Sequence, residues 1–208
     1  MKKSMRSFLI GVLLTVWGLS ASAKEYIELS PPRPTDDPSK VEVIEFFWYG
    51  CPHCYRFEPF IAAWVKEKPD NVVFKRQPVI FRDGWAQHAR AYFTAEVLGV
   101  VDKTHQDFFD AMHKERKSMT NEDELAEFFS RHGVDKETFS NAFHSFSVDM
   151  KVRQAESVAA EYMISGVPAI VVNGKYLITG RTAKGFDNMI KVLQERVNHE
   201  LENLTAKK

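Results

Sequence analysis

Cysteine is scarce in this chain, which carries only Cys51 and Cys54 among its 208 residues. Disulfide-stabilised scaffolds use several bridges, and a bridge between residues this close in sequence restrains little of the unfolded chain. The two cysteines therefore exclude a stapled scaffold. They predict a single redox or metal unit in a protein that folds by burying a hydrophobic core.

Long hydrophobic runs are also lacking, apart from the stretch over residues 8–19. That stretch is shorter than the ~20 residues that a membrane-spanning helix needs. Three basic residues precede it and Ala21-Ser22-Ala23 follows it, which is the layout of a secretory signal peptide. We expect residues 1–23 to be a signal peptide cleaved after Ala23. A single N-terminal membrane anchor is the alternative.

An excess of positive charge is missing too, because 28 Lys and Arg residues are balanced by 28 Asp and Glu residues. Removal of residues 1–23 would leave a small acidic excess, since that segment contains basic residues and no acidic ones. Nucleic-acid-binding domains need a basic face. Nucleic acid is therefore not an expected partner.

The chain after residue 23 begins with a proline-rich segment and continues with the pattern of a β-α-β unit. Residues 24–40 carry four prolines, which predicts an extended arm over the surface. Residues 41–48 are apolar at nearly every position, as in a central strand covered on both faces. A helical pattern over 55–68 and a β pattern over 72–80 follow. Both cysteines therefore fall at the turn between the first strand and its helix.

A long segment without strand patterns follows this unit. Its apolar spacings and stop signals predict about four helices over residues 81–158. One of these helices carries Phe139, Phe143 and Phe146, which we assign to the core rather than to a binding surface.

The last part of the chain returns to β structure after a further helix that ends near Met163. Asn173-Gly174 between two β-rich runs predicts a hairpin, and residues 183–204 predict an amphipathic helix. The order of elements predicts an α/β protein with a thioredoxin fold interrupted by an all-helical insertion domain. The expected parts are the arm and first thioredoxin segment (24–80), the insertion (81–158) and the second thioredoxin segment (159–208).

The cysteine pair occupies a position that favours redox chemistry. A cysteine reacts as its thiolate, and the unpaired N–H groups and dipole at a helix start stabilise that charge on Cys51. Pro52 suits the first helical position, where no N–H donor is needed. Cys54, one turn later, is expected to face inward beneath Cys51. His53 adds a donor and, when protonated, a positive charge that would lower the pKa of Cys51 and make it a better leaving group.

Metal binding is the alternative use of a Cys-x-x-Cys pair, which also forms half of many tetrahedral zinc sites. The other half is missing, because the remaining histidines are scattered without ligand spacing. We therefore expect no metal site. A copper or zinc carrier that uses Cys51 and Cys54, with or without His53, remains the competing hypothesis.

Two segments carry a resemblance to a known family. Residues 46–55 are Phe-Phe-Trp-Tyr-Gly-Cys-Pro-His-Cys-Tyr, and residues 166–176 are Gly-Val-Pro-Ala-Ile-Val-Val-Asn-Gly-Lys-Tyr. Together they resemble the DsbA family of periplasmic thiol:disulfide oxidoreductases, and the resemblance extends over essentially the whole chain after residue 23. The Pro-His dipeptide is typical of oxidising members, whereas thioredoxins carry Gly-Pro there. Isomerases of the same fold carry an additional dimerisation domain, which is not expected here.

The resemblance implies roles for further residues. The Val167-Pro168 bond is expected to be cis, with Pro168 against the disulfide and Val167 at a backbone edge where an extended substrate segment can pair. Glu45 is expected to be a buried acid beneath Cys54.

A basic partner for Glu45 is expected on the neighbouring strand. Lys75 and Arg76 both remain candidates, because the sequence does not define the register of the two strands.

By the same resemblance, the protein would donate its disulfide to reduced exported proteins in the periplasm as a monomer. It would need no cofactor beyond the Cys51–Cys54 disulfide, and a DsbB-like membrane quinone reductase would reoxidise it. Two other functions stay open at this stage. One is a reductase or isomerase kept reduced by a different partner, and the other is a redox-linked binding protein or chaperone.

Overall fold

The structure is a computed structural model that describes residues 24–206, so the predicted signal peptide lies outside the described residues. The strands in this part of the chain are β1 (Ile27–Glu28), β2 (Val41–Phe47), β3 (Val72–Pro78), β4 (Ala169–Val172) and β5 (Tyr176–Thr179). They form one sheet in the order β1-β5-β4-β2-β3. β2 and β3 are parallel, and the other neighbouring pairs are antiparallel.

The helices pack on both faces of this sheet and in a block at one end of it. They are α1 (Pro52–Glu67), α2 (Ala86–Val97), α3 (Val101–His113), α4 (Glu122–Arg131), α5 (Lys136–Phe143), α6 (Phe146–Glu161), α7 (Gly180–Ala183) and α8 (Phe186–Ala206), with a 3₁₀ turn at Asp83–Trp85. None of the helices in residues 24–206 is long and apolar enough to cross a membrane.

Strand β2 is buried along its whole length, as its uniform apolarity predicts. Side chains of successive residues point to opposite faces of a strand. On one face Val43 packs with the core between the sheet, α1 and α8, and on the other Phe46 packs with residues of α6. The predicted β-α-β unit is therefore present, and it positions the cysteines between β2 and α1.

The inserted block has a core rich in phenylalanine, and Phe139 and Phe143 belong to it as predicted. Phe146 does not, because its side chain is 76% exposed. The physical reason is a helix boundary: α5 ends at Phe143, and the Ser145 side chain caps a new helix that begins at Phe146. The three phenylalanines thus belong to two helices rather than to one stripe.

The hairpin between β4 and β5 has the predicted turn, since Asn173 and Gly174 have φ values of 51° and 63°. A Cβ atom at Gly174 would lie 2.0 Å from the carbonyl oxygen of Arg33, so the N-terminal arm crosses the hairpin in close contact. The arm is also more ordered than predicted, because Ile27–Glu28 pair with β5 as an edge strand.

The C-terminal helix begins later than predicted. The chain forms the short helix α7 and then turns at Lys184, which has a φ of 61°, before α8 begins at Phe186. With the sheet, α1 and the inserted helices α2–α6, the architecture confirms a thioredoxin fold interrupted by a helical insertion.

Candidate active site

Cys51 is the N-cap residue of α1, with Pro52 at the first helical position. The Cys51 sulfur accepts a hydrogen bond from the backbone N–H of Cys54 at 3.4 Å. Its thiol also lies 3.5 Å from the carbonyl oxygen of Val167. Cys54 is fully buried one turn further along, and both cysteines are free thiols.

The two sulfurs have opposite tendencies to ionise. A hydrogen bond from the Cys54 thiol, N–H groups at the helix start and the charge of Arg56 together lower the pKa of Cys51 to about 6, although partial burial opposes the shift. Burial raises the pKa of Cys54 well above its usual range. A thiolate therefore forms on Cys51 and not on Cys54 near neutral pH.

His53 lies on the exposed side of α1, where it contacts Arg56. The Arg56 Nη2 atom is 2.9 Å from His53 Nδ1. A guanidinium group has only donors, so Nδ1 acts as the acceptor in this contact. His53 also helps the Cys51 thiolate through its backbone N–H. The fixed positive charge near the sulfur thus comes from Arg56, a residue that the sequence analysis did not select.

Gly50 makes room for a tryptophan beside the active cysteine. A Cβ atom at Gly50 would lie 2.3 Å from Cζ2 of Trp48. Trp48 stacks on Trp85 with ring centroids 3.8 Å apart and planes 4° apart, and its N–H donates to His88. An aromatic stack therefore flanks the residue that precedes Cys51.

The Val167-Pro168 bond is cis, as predicted, and Pro168 is buried. A cavity of about 420 Å³ lies beside this loop, and His53, Met163, Val167, Pro168 and Phe186 are among its lining residues. Met163 is 56% exposed at its edge. A larger cavity of about 620 Å³ opens beside β3, but neither cysteine lines it.

The β2–β3 register determines which basic residue is the partner of Glu45. Glu45 lies directly opposite Arg76 in the parallel ladder, and the Arg76 Nε atom is 3.1 Å from Glu45 Oε2. Lys75 points to the other face, where it pairs with Glu42 and Asp36. Arg76, rather than Lys75, is therefore the partner of Glu45.

Two further buried residues join this pair, and the sequence analysis missed both. Arg76 Nη2 also lies 2.8 Å from Glu58 Oε1, and His105 Nε2 lies 3.3 Å from Glu58 Oε2. Glu58 had a detectable signal, because it follows Cys54 by four residues and so shares the inward face of α1. His105 had none, since only the tertiary fold brings α3 against α1.

Within residues 24–206, no group of three or more His, Cys, Asp or Glu side chains is arranged to hold a metal ion.

Comparison with known proteins gives consistent relatives. Residues 74–194 match the DSBA-like thioredoxin domain family. The thiol:disulfide interchange protein DsbA of Azotobacter vinelandii is 43% identical over 177 residues, which is 85% of this chain and 83% of that protein. The DsbA of Pseudomonas aeruginosa strain PAO1 is 39% identical over 213 residues, which is 98% of this chain and 100% of that protein.

Solved structures agree with these relatives. The crystal structure of Pseudomonas aeruginosa DsbA has a TM-score of 0.82 at 42% identity, covering 89% of this chain and 95% of that one. The oxidoreductase DsbA from Xylella fastidiosa has a TM-score of 0.79 at 34% identity, covering 85% and 95%.

A thioredoxin fold with a Cys-x-x-Cys pair at the start of its first long helix defines a dithiol–disulfide oxidoreductase. Within that class, this chain belongs to the DsbA-like thioredoxin family. It is a protein disulfide oxidoreductase that works through its own redox-active pair, Cys51 and Cys54.

Proposed function

We propose that the protein is exported to the bacterial periplasm, where it donates the Cys51–Cys54 disulfide to newly exported proteins. A membrane quinone reductase of the DsbB kind would reoxidise it, and it would act as a monomer. The observation that carries the proposal is the difference between the two sulfurs. Because the pKa of Cys51 is lowered to about 6 while burial raises that of Cys54, the reduced form is stabilised and the disulfide is oxidising.

The reaction proceeds by two thiol–disulfide exchanges. A substrate thiolate attacks the Cys51 sulfur, the Cys51–Cys54 bond breaks, and Cys54 leaves with the electron pair. A second substrate thiolate then attacks the substrate sulfur of the mixed disulfide, which releases Cys51 as a thiolate. The lowered pKa of Cys51 favours this last step, because a thiol of low pKa is a good leaving group.

The released Cys54 thiolate needs a proton, because its sulfur is buried. Glu45 is the proposed donor, since burial, together with the nearby charge of Glu58, raises the pKa of Glu45 to about 8. It is therefore protonated at neutral pH and can supply a proton without solvent access.

The loop at Val167 and Pro168 is the proposed substrate-binding edge. The Val167 carbonyl lies beside the Cys51 sulfur, and the cavity next to it is partly apolar. An extended substrate segment could pair with the Val167 backbone while one of its side chains enters the cavity. Pro168 would keep the segment in place against the cysteines.

Equilibration with a glutathione redox buffer tests the direction of the reaction. We expect a potential more oxidising than about −180 mV, and a value near about −270 mV would instead indicate a thioredoxin-like reductase. Cys54→Ser, which cannot form the internal disulfide, is the control for the signal that reports this disulfide in the redox buffer. A metal analysis of the reduced protein addresses the carrier hypothesis, because stoichiometric copper or zinc would favour it.

A further inference from the structure

A buried cluster of ionisable side chains extends from Glu45, which acts on the pKa of Cys54, into the helical block. Arg76 joins Glu45 to Glu58 through contacts of 3.1 and 2.8 Å. His105 Nε2 lies 3.3 Å from the other oxygen of Glu58, and His105 Nδ1 lies 2.9 Å from the hydroxyl of Tyr49. We call these five residues the buried relay. They come from β2 and its end, β3, α1 and α3, so only the complete fold assembles them.

The contacts define where the hydrogens of the buried relay lie. Burial and the charge of Arg76 hold the pKa of His105 well below its usual range, so the ring is neutral and carries one N–H. Because Nε2 faces a carboxylate oxygen, that nitrogen carries the hydrogen, and the Tyr49 hydroxyl donates to Nδ1. Neither Glu58 Oε2 nor His105 Nε2 makes a hydrogen bond among residues 24–206. Buried polar atoms normally have a partner, and the two atoms face each other at 3.3 Å.

The two acids of the buried relay share a single guanidinium group. Glu45 and Glu58 are 1% and 4% exposed, and two buried carboxylates against one positive charge would be costly. One of them therefore carries a proton near neutral pH. Burial raises the pKa of Glu58 as well, but Glu58 is contacted by both Arg76 and His105, at 2.8 and 3.3 Å, whereas Glu45 is contacted by Arg76 at 3.1 Å. The proton accordingly belongs to Glu45.

We propose that His105 and Glu58 are positioning residues for disulfide exchange. Tyr49 orients His105, His105 keeps Glu58 ionised, and the charge of Glu58 keeps Glu45 protonated beneath Cys54. This inference rests on the proposed function, in which Glu45 protonates the released Cys54. When the Cys51–Cys54 bond breaks, Cys54 takes the electron pair and one proton passes from Glu45 to its sulfur. Glu58 and His105 neither gain nor lose a proton.

The other titratable groups around the buried relay do not compete for this proton. Burial raises the pKa of Tyr92 on α2, as it does for Cys54 on α1, so both are neutral at pH 7. The charge of Asp102 on α3 raises the pKa of His105, but burial and the charge of Arg76 outweigh it.

Carboxyl carbon NMR of the reduced wild-type protein tests the assignment directly. At pH 7 we expect Glu58 to be a carboxylate and Glu45 to be a carboxylic acid that titrates near pH 8. The opposite assignment, with Glu58 protonated and Glu45 ionised, would overturn the proposal.

Substitutions test whether Glu58 and His105 affect the titration of Glu45. Glu58→Gln should lower the midpoint of the Glu45 titration by about one pH unit or more, because a nearby like charge is lost. His105→Phe should lower it by less, and His105→Gln, which keeps an N–H donor, should restore it. His132→Phe is the control, because His132 contacts Asp107 at 2.9 Å outside the buried relay. A Glu45 midpoint that is unchanged in both Glu58→Gln and His105→Phe would refute the coupling.

The titration needs no substrate, so it separates this inference from the proposed function. If the Glu45 midpoints shift as predicted but the protein has no oxidase activity, only the proposed function is rejected. If the protein is an oxidase but the Glu45 midpoints do not change in the variants, only the role of His105 and Glu58 is rejected. If His105→Phe does not fold, the wild-type titration and Glu58→Gln still test the roles of Glu45 and Glu58, and a Glu45 midpoint that falls in His105→Gln as far as in Glu58→Gln would reject the role of the His105 N–H.

Discussion

At the scale of single residues, the reactivity of Cys51 depends on what surrounds one sulfur atom. The largest stabilising contact is the hydrogen bond from Cys54, and the charge of Arg56 makes the smallest of the named contributions. The role of Cys54 is therefore not limited to forming the disulfide. Cys54 also acts as a donor that stabilises the thiolate of Cys51.

Arg56→Gln should raise the pKa of Cys51 by a fraction of a unit. The effect should be small because Arg56 is exposed, and water and salt screen such charges. Thiolate absorbance against pH measures the shift, which should shrink as ionic strength rises. Lys66→Gln removes the same charge from the last turn of α1 and should have less effect. An equal shift in both variants would mean that Arg56 has no specific role.

At the scale of elements, the turn between β2 and α1 has to hold Trp48 and Cys51 side by side. Glycines often serve turns with a left-handed backbone, but the φ of Gly50 is not in that region. The structure gives a different reason, which is the space occupied by the Trp48 ring. The requirement for glycine is thus one of packing.

Gly50→Ala should destabilise the protein by roughly 1–3 kcal/mol, as overpacking of a filled site usually does. It should also disturb the stack of Trp48 on Trp85, which near-ultraviolet circular dichroism detects. Gly84→Ala is a matched control, because a Cβ atom there would have no neighbour within 4 Å. Chemical denaturation compares the two variants. Equal stabilities would show that the Trp48 ring moves aside without cost.

At the scale of the whole molecule, local patterns predicted the elements better than their contacts. The burial of β2, the helix start at Cys51 and the Asn173-Gly174 turn all follow from short segments, and each was predictable. The pairing of β1 with β5 was not, because two residues in a proline-rich arm carry too little pattern.

In the candidate site too, local patterns predict some residues, whereas other residues are identified only by their contacts in the fold. Cys51 and Cys54 are recognisable from their spacing, whereas the choice of Arg76 over Lys75 depends on a register that no single strand encodes. The contact between His105 and Glu58 joins positions 47 residues apart. Such contacts result from how helices pack, so residue type alone could not predict them.

The central claim is that the reduced fold stabilises a thiolate on Cys51, and the pH dependence of stability tests it most directly. Folding lowers the Cys51 pKa from 9.0 to about 6. The resulting stabilisation is full above the unfolded value and disappears as pH falls through about 6. The oxidised protein has no such thiol and serves as the reference.

Unfolding of both forms in denaturant between pH 5 and pH 8 is the decisive measurement. We predict that the unfolding free energy of the reduced form, relative to the oxidised form, increases by about 2 kcal/mol from pH 5 to pH 8, after allowance for partial solvent screening. A difference that stays constant over this range, or decreases as pH rises, would contradict the account.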